Sequence, residues 1–175
     1  MVRIVPELPI HIPAREALLD ASFGAHRRTK TSERLREGRL PAPGLAFSLV
    51  DDRSLLGTLR LWPICAGAAG PALLLGPLAI EAARRSEGLG GALMRHGLAE
   101  AWQQGHDAVL LVGDAAYYER FGFSADLTHR LWLPGPYERE RFLGLELREG
   151  ALGNAAGKVD AIGELADVQA WPQVA

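Results

Sequence analysis

The sequence predicts an α/β fold built on one central sheet, and two stretches carry that expectation. Between Leu73 and Phe123 an apolar strand-length run leads into a glycine-rich loop, a long amphipathic helix pattern and a second apolar strand at Ala108 to Val112. Ahead of it, Leu45 to Val50 and Ser54 to Trp62 are apolar strand-length segments joined by Asp51-Asp52-Arg53, a hairpin-like link. At 175 residues, 48% hydrophobic and 23% charged, the chain fits one globular domain large enough to bury a core.

The elements follow in chain order. Val2 to Val5 is a short β-type run, and Pro13 ahead of Ala-Arg-Glu-Ala-Leu-Leu sets proline in the first turn of a helix, where its missing N–H costs nothing. A second helix is expected from Thr31 or Ser32 to a stop at Gly38. Pro63 to Pro71, rich in Gly and Ala, reads as a mobile surface loop. Ala72 to Ile80 is almost wholly apolar, as suits a central strand covered on both faces. Its Gly76-Pro77 pair cannot sustain a ladder, so a bulge or splay is expected where pairing stops.

After the glycines a helix is expected to run to Gln104 and stop at Gly105. Gly90, Met94, Gly97, Leu98 and Ala101 form its buried stripe, with Gly97 allowing close approach to the sheet; Arg95, His96, Glu100 and Gln103 fall on the solvent side. Ala115 to Arg120 can make a short helix, and Phe123 onward with His129 to Leu133 suggests closing strands. Residues 1–150 are taken as the domain. Residues 151–175 carry no motif and form a C-terminal tail packed on, or extending from, the same domain.

Composition narrows the partners. A net charge of −2 argues against nucleic acid, and no apolar run reaches the ~20 residues of a membrane span. The charged, proline-containing N-terminus is unlike a signal peptide, so a cytoplasmic location is the expectation. The lone Cys65, in an apolar setting, reads as a buried structural thiol, and His11, His26, His106 and His129 show no metal-ligand spacing. Residues 1–60 hold ten Lys/Arg against seven Asp/Glu. Within them His26-Arg27-Arg28-Thr29-Lys30 is a compact basic run, either a solvated flank or a grip on an anion.

The chemistry concentrates at Arg85-Ser86-Glu87-Gly88-Leu89-Gly90-Gly91. Backbone N–H groups at a helix start lack partners, the macrodipole adds positive charge there, and glycines clear the approach of a diphosphate. Arg85 adds a planar fork suited to phosphate oxygens, with Arg84 either helping or solvated.

Arg85-x-x-Gly88-x-Gly90 resembles the Gln/Arg-x-x-Gly-x-Gly/Ala signature of the GNAT superfamily of acetyl-CoA-dependent N-acetyltransferases. Tyr117-Tyr118-Glu119-Arg120-Phe121-Gly122-Phe123 resembles that family's aromatic-Tyr-x-x-x-Gly-Phe element. Residues 45 to 125 carry the likeness, and the first forty residues with Leu131 to Leu147 resemble a bacterial branch of the same superfamily. The resemblance implies a mixed, mostly antiparallel sheet with a splayed central strand, flanked by helices on both faces. It implies that acetyl-CoA is the cosubstrate, with no metal. The pyrophosphate would lie on Arg85, Ser86, Glu87, Gly88, Leu89, Gly90 and Gly91. Leu78, Ala79 and Ile80 would supply backbone N–H groups that polarise the thioester carbonyl.

Tyr118 stands where the family often has its general acid. A thiol near 8.5 and a tyrosine near 10 leave transfer uphill by ~2 kcal/mol, small enough for a hydrogen bond to the leaving sulfur to help. Packing with Tyr117, Phe121 and Phe123 is its alternative role. Glu81, at the end of the strand, is the first choice of general base and Asp114 the second, although Asp114 also suits a helix N-cap. The acceptor is expected to be a small amine, and a homodimer is possible.

Two rivals remain open from sequence. A non-catalytic acyl-CoA-binding or interaction module would keep the loop without the chemistry. A dinucleotide-binding fold fits poorly, because Leu93 occupies the third glycine site and seven residues separate Ile80 from Gly88.

Overall fold

The structure, a computed structural model, describes residues 1–167. Its strands are β1 (Arg3–Pro6), β2 (Ala46–Val50), β3 (Leu55–Ala66), β4 (Pro71–Leu75), β5 (Ala79–Ile80), β6 (Ala108–Val112), β7 (Leu131–Trp132), β8 (Phe142–Glu146) and β9 (Gly157–Ala161). The α-helices are α1 (Ile12–Phe23), α2 (Leu89–Gln103) and α3 (Ala115–Tyr118). The strands lie in the order β1-β2-β3-β4-β6-β8, with β5 and β9 also on β3 and β7 on β9. Only β4–β6 and β7–β9 pair in parallel, so the sheet is mostly antiparallel.

Period-two alternation splits the core into two layers. Leu59, Leu61, Leu73, Leu75, Val109, Leu111 and Leu143 face α2, meeting Leu93, Met94 and Ala101. Trp62, Ile64, Leu74, Leu110 and Phe142 face the other way, toward Leu35, Leu131, Leu133 and Val159. α1 also packs against β3 and β5. Helices thus cover both faces, which is why the central strands read as continuous apolar runs.

Gly97 has the packing role expected of it: a Cβ there would stand 2.8 Å from Leu59 Cδ2. Of the stripe expected on α2, Met94, Gly97 and Ala101 are buried, Gly90 and Leu98 are only partly covered, and the fully buried Leu93 joins them. His96 is half-buried rather than solvated, its ring edge-on to Phe47 at 4.9 Å. Phe47, on the neighbouring β2, reaches across to it.

Three other expectations change. The stretch expected as a mobile loop is strand: β3 continues to Ala66, turns through Gly67 to Ala69, and returns as β4. Its small residues mark close packing, since a Cβ on Gly67 would meet the Ala156 carbonyl oxygen at 1.9 Å. The expected second helix is only a 3₁₀ turn, Thr31–Leu35, preceded across an extended Lys30 by another 3₁₀ turn, Ala25–Thr29. Tertiary bonds hold the Thr31–Leu35 turn, with Thr31 Oγ1 donating to the Pro136 carbonyl and Arg34 Nη1 to that of Pro134, 2.7 Å away. Cys65 is half-buried, its thiol 3.6 Å from the Gly67 carbonyl.

Past residue 150, β9 pairs with β3 through Ile64, Cys65 and Ala66 and with β7 through Leu131 and Trp132. The remainder of the C-terminal stretch, 168–175, lies outside the described residues. Among the described residues no helix is long and apolar enough to cross a membrane.

Candidate active site

The Gly76-Pro77-Leu78 interruption splits the expected single strand into β4 and β5 and opens the sheet. β4 pairs with β6 only through Leu73 with Val109 and Leu74 with Leu110. Beyond that point β5 stays on β3, while Leu111 and Val112 of β6 stay on β8. The two edges therefore diverge, and a cavity of about 1210 Å³ occupies the opening. Trp62 Nε1 donates to the Gly76 carbonyl at 2.6 Å, satisfying an acceptor that the break takes out of the ladder.

Backbone alternation fixes which β5 groups face the opening. Glu81 N–H donates to Leu56 on β3, and Ala79 and Ile80 sit opposite Thr58 and Gly57. In an antiparallel ladder the intervening residue turns both its groups away, so the Ile80 N–H points off β3 toward the gap. Its carbonyl accepts from Arg85 Nε at 3.2 Å, on the same side. Leu78, Ala79, Ile80, Arg85 and Gly90 all line the cavity.

The loop from Ser86 to Gly91 turns the chain into α2 with two left-handed residues, Ser86 at φ 72° and Gly88 at φ 77°. Gly88 is the N-cap and offers no side-chain cap. The N–H groups of Leu89, Gly90 and Gly91 therefore open α2 without intrahelical partners. Gly90 earns its place sterically, since a Cβ there would lie 3.0 Å from Tyr117 Oη. The carboxylate of Glu87 is held by Arg84 at 2.8 Å, which keeps it below the usual carboxylate range. Arg84 thus answers the loop's own negative charge.

Across the opening stand the two tyrosines, edge to face with centroids 4.9 Å apart. Tyr118 packs on Phe123 at 6.0 Å and lies against Gly113, where a Cβ would meet its Cε2 at 2.4 Å. Packing and lining coincide here, because Tyr118 also forms part of the cavity wall. Burial, with the nearby Tyr117 second, pushes the Tyr118 hydroxyl up to about 12. It is protonated throughout the neutral range.

The carboxylates divide. Asp114 lines the cavity and caps α3, accepting from Ala116 N–H at 3.1 Å. Glu81 is exposed and does not belong to the cavity wall, so the structure does not bring it together with Tyr118. Glu33 and Glu138 do line the cavity, and nothing in their local sequence marked them. The basic run also divides: Arg27 and Lys30 both line the cavity, but Arg27 is buried and paired with Asp20 at 2.8 Å and with Glu16, whereas Lys30 is exposed and forms no ion pair among the described residues. Among the described residues, no group of three or more His, Cys, Asp or Glu could hold a metal ion.

Comparison with known proteins agrees with this geometry. Residues 43–125 match the family described as the acetyltransferase (GNAT) domain. The chain is 31% identical to the uncharacterized N-acetyltransferase YhbS of Escherichia coli K12 over 155 residues, spanning 88% of this chain and 92% of the relative. The crystal structure of E. coli YhbS in complex with CoA superposes with a TM-score of 0.76 at 30% identity, covering 93% of this chain and 89% of that one. A GNAT acetyltransferase from Brucella melitensis in complex with acetyl-CoA gives 0.63 at 27% identity, covering 83% and 88%. A mostly antiparallel sheet opened at β4 and β5 also excludes the doubly wound dinucleotide fold, which needs a parallel sheet. The chain belongs to the GNAT family of acetyltransferases.

Proposed function

We propose that this enzyme transfers the acetyl group of acetyl-CoA directly to a primary amine of a small-molecule acceptor. The observation that carries this reading is the cavity in the opened sheet, with Arg85 and Gly90 in the first turn of α2 on one side and Tyr118 on the other. The relatives crystallised with CoA and acetyl-CoA support it. Arg85 and the free amides of Leu89, Gly90 and Gly91 hold the diphosphate, with Ser86, Glu87 and Gly88 shaping the turn that presents them. Leu78, Ala79 and Ile80 line the pantetheine arm, and the outward Ile80 N–H is the donor aimed at the thioester carbonyl oxygen.

The bound cosubstrate supplies an activated acyl group, so the protein needs no nucleophile of its own. Tyr118 donates a hydrogen bond to the departing sulfur. Asp114 takes the base role ahead of Glu81, because of the two Asp114 alone lines the cavity. Titration calorimetry with acetyl-CoA and with NAD tests the reading. Acetyl-CoA should bind and NAD should not, and Arg85→Ala should weaken acetyl-CoA about tenfold, the loss of one charge-assisted contact of ~1.5 kcal/mol. Equal affinity for the variant would remove Arg85 from the site.

A second test uses Gly113. Adding one methyl there drives it into the Tyr118 ring, and a displacement of about 1 Å at a reacting group costs up to ~10²-fold in rate. Gly113→Ala should lower turnover by roughly that factor. Combined with Tyr118→Phe it should cost little more than the worse single change, because both act on one side chain. Additive losses would place the effect of Gly113 elsewhere.

A further inference from the structure

The far wall of the cavity, built by residues 22–36 and 133–141, carries more positive than negative charge. Arg27 is answered by Asp20 and Glu16. Lys30 and Arg141 form no ion pair among the described residues, and Lys30 is held in position by its ammonium lying 5.0 Å above the Phe23 ring.

Arg36 is the most telling of the group. Its side chain is only 9% exposed, yet it lines the cavity. Glu33 Oε2 takes Nη2 at 3.1 Å and Nε at 3.3 Å, and Ser32 Oγ takes Nη2 at 3.4 Å. Nη1 has no acceptor among the described residues. It lies beside Gly76, where a Cβ would be 3.2 Å away, at the root of the opening between the strands. The open end of this guanidinium therefore faces the cavity, where an anion can supply the acceptor that the protein does not. Burial opposes the charge of Arg36, and burial followed by the fields of Arg141 and Arg36 opposes that of Lys30. One anion would relieve both.

That anion is not the diphosphate, whose proposed site is at Arg85 and the start of α2, past Ile80. A bare diamine or polyamine fits badly, since its second ammonium would face like charges. We propose that the acceptor is an amine that also bears an acidic group, a carboxylate or a phosphate, and that Arg36, Lys30 and Arg141 hold this group while the amine faces Tyr118. The inference rests on the acetyltransferase reading above and narrows its acceptor. Arg36 contributes a planar fork matched to two oxygens, and Lys30 and Arg141 contribute adjustable charge from the rim.

The test is a panel of matched amines, each acid paired with its neutral twin: β-alanine with β-alaninamide, lysine with lysinamide, phosphoethanolamine with ethanolamine. Binding of each in the presence of CoA is read by calorimetry, and turnover by thiol release from acetyl-CoA. At least one acid should exceed its twin by tenfold or more, and the carboxylate and phosphate arms show which group is recognised. Lys30→Gln, at an exposed position that spares the fold, should raise the acceptor KM several-fold and shrink the acid-to-neutral ratio while leaving the KM for acetyl-CoA unmoved. Arg36→Gln should abolish the preference. Neutral twins that match or beat the acids, no acid that binds, or a ratio unchanged in Lys30→Gln and Arg36→Gln would each overturn the proposal. Failure of acetyl-CoA itself to bind would instead sink the acetyltransferase reading.

Discussion

Tyr118→Phe is expected to lower kcat by about two orders of magnitude, the usual scale for losing a positioned acid, while the KM for acetyl-CoA and the Tm stay nearly unchanged. The ring is retained, so its packing on Phe123 and its edge contact with Tyr117 survive the substitution. Only the hydroxyl is lost. From reference values, the gap between a tyrosine and a thiol is about 1.5 units. With the Tyr118 hydroxyl pushed up to about 12, the gap to a thiol near 8.5 widens to about 3.5 units, or ~5 kcal/mol. Complete proton transfer to the sulfur is then too steep to be the main contribution. A hydrogen bond that strengthens as negative charge develops on the sulfur is the role left to it.

A pH signature separates this from an acid tuned near neutrality. Because the tyrosine stays protonated up to about 12, log kcat of the parent enzyme should show no falling limb from Tyr118 between pH 7 and roughly 10. The variant should run parallel and lower. Full activity in Tyr118→Phe at saturating substrates would reduce Tyr118 to a packing residue. A basic limb near pH 9 that vanishes in the variant would mean that the hydroxyl titrates far below the value burial imposes.

The sheet opening and the loop before α2 were legible because each depends on local chemistry. Proline cannot donate to a ladder, and Gly76-Pro77 says so wherever it stands. The α2 stripe was legible through its period, although Leu93 escaped by being read against a glycine motif. The 3₁₀ turn of residues 31–35 was not legible, because bonds to carbonyls about a hundred positions away, at Pro134 and Pro136, decide its shape. Gly67 misled for a related reason. Glycine and alanine serve equally for a mobile loop and for a backbone pressed against another, and only the partner at Ala156 distinguishes the two. The basic cavity wall was invisible because Lys30 and Arg36 lie about a hundred positions from Arg141, and the two segments meet only in the folded chain.

Glu7→Gln should be among the most destabilising single changes in the molecule, although Glu7 lies outside the cavity and next to the N-terminus. Its carboxylate is 7% exposed and is shared by two guanidinium groups, Arg15 Nη1 at 2.6 Å and Arg60 Nε at 3.0 Å. Arg15 is itself only 6% exposed, and Arg60 is further held by stacking over Trp62 at 5.4 Å. Removing the shared charge leaves Arg15 with Glu16 alone and Arg60 with no carboxylate among the described residues. Breaking a buried pair from one side costs ~3–5 kcal/mol. In a chain of this size that is a fall in Tm on the order of 10 °C. Replacing all three together, Glu7→Leu with Arg15→Met and Arg60→Met, should recover much of the loss, because no unpaired charge stays buried. Acid should act on the same cluster through Glu16. Burial works to raise its carboxyl, but the hydrogen bonds and charges of Arg15 and Arg27 outweigh burial and hold it below its ordinary value of 4.5. A carboxylate depressed by folding stabilises fully above its unfolded value, and that contribution is lost as the pH falls through the lower, folded one. The Tm should therefore hold above pH 5 or so and decline below about 4.5, with a shallower acid slope in Glu16→Gln. A Glu7→Gln protein melting within about 2 °C of the parent would show that water screens the cluster, and that α1 is secured to the sheet by its apolar contacts instead.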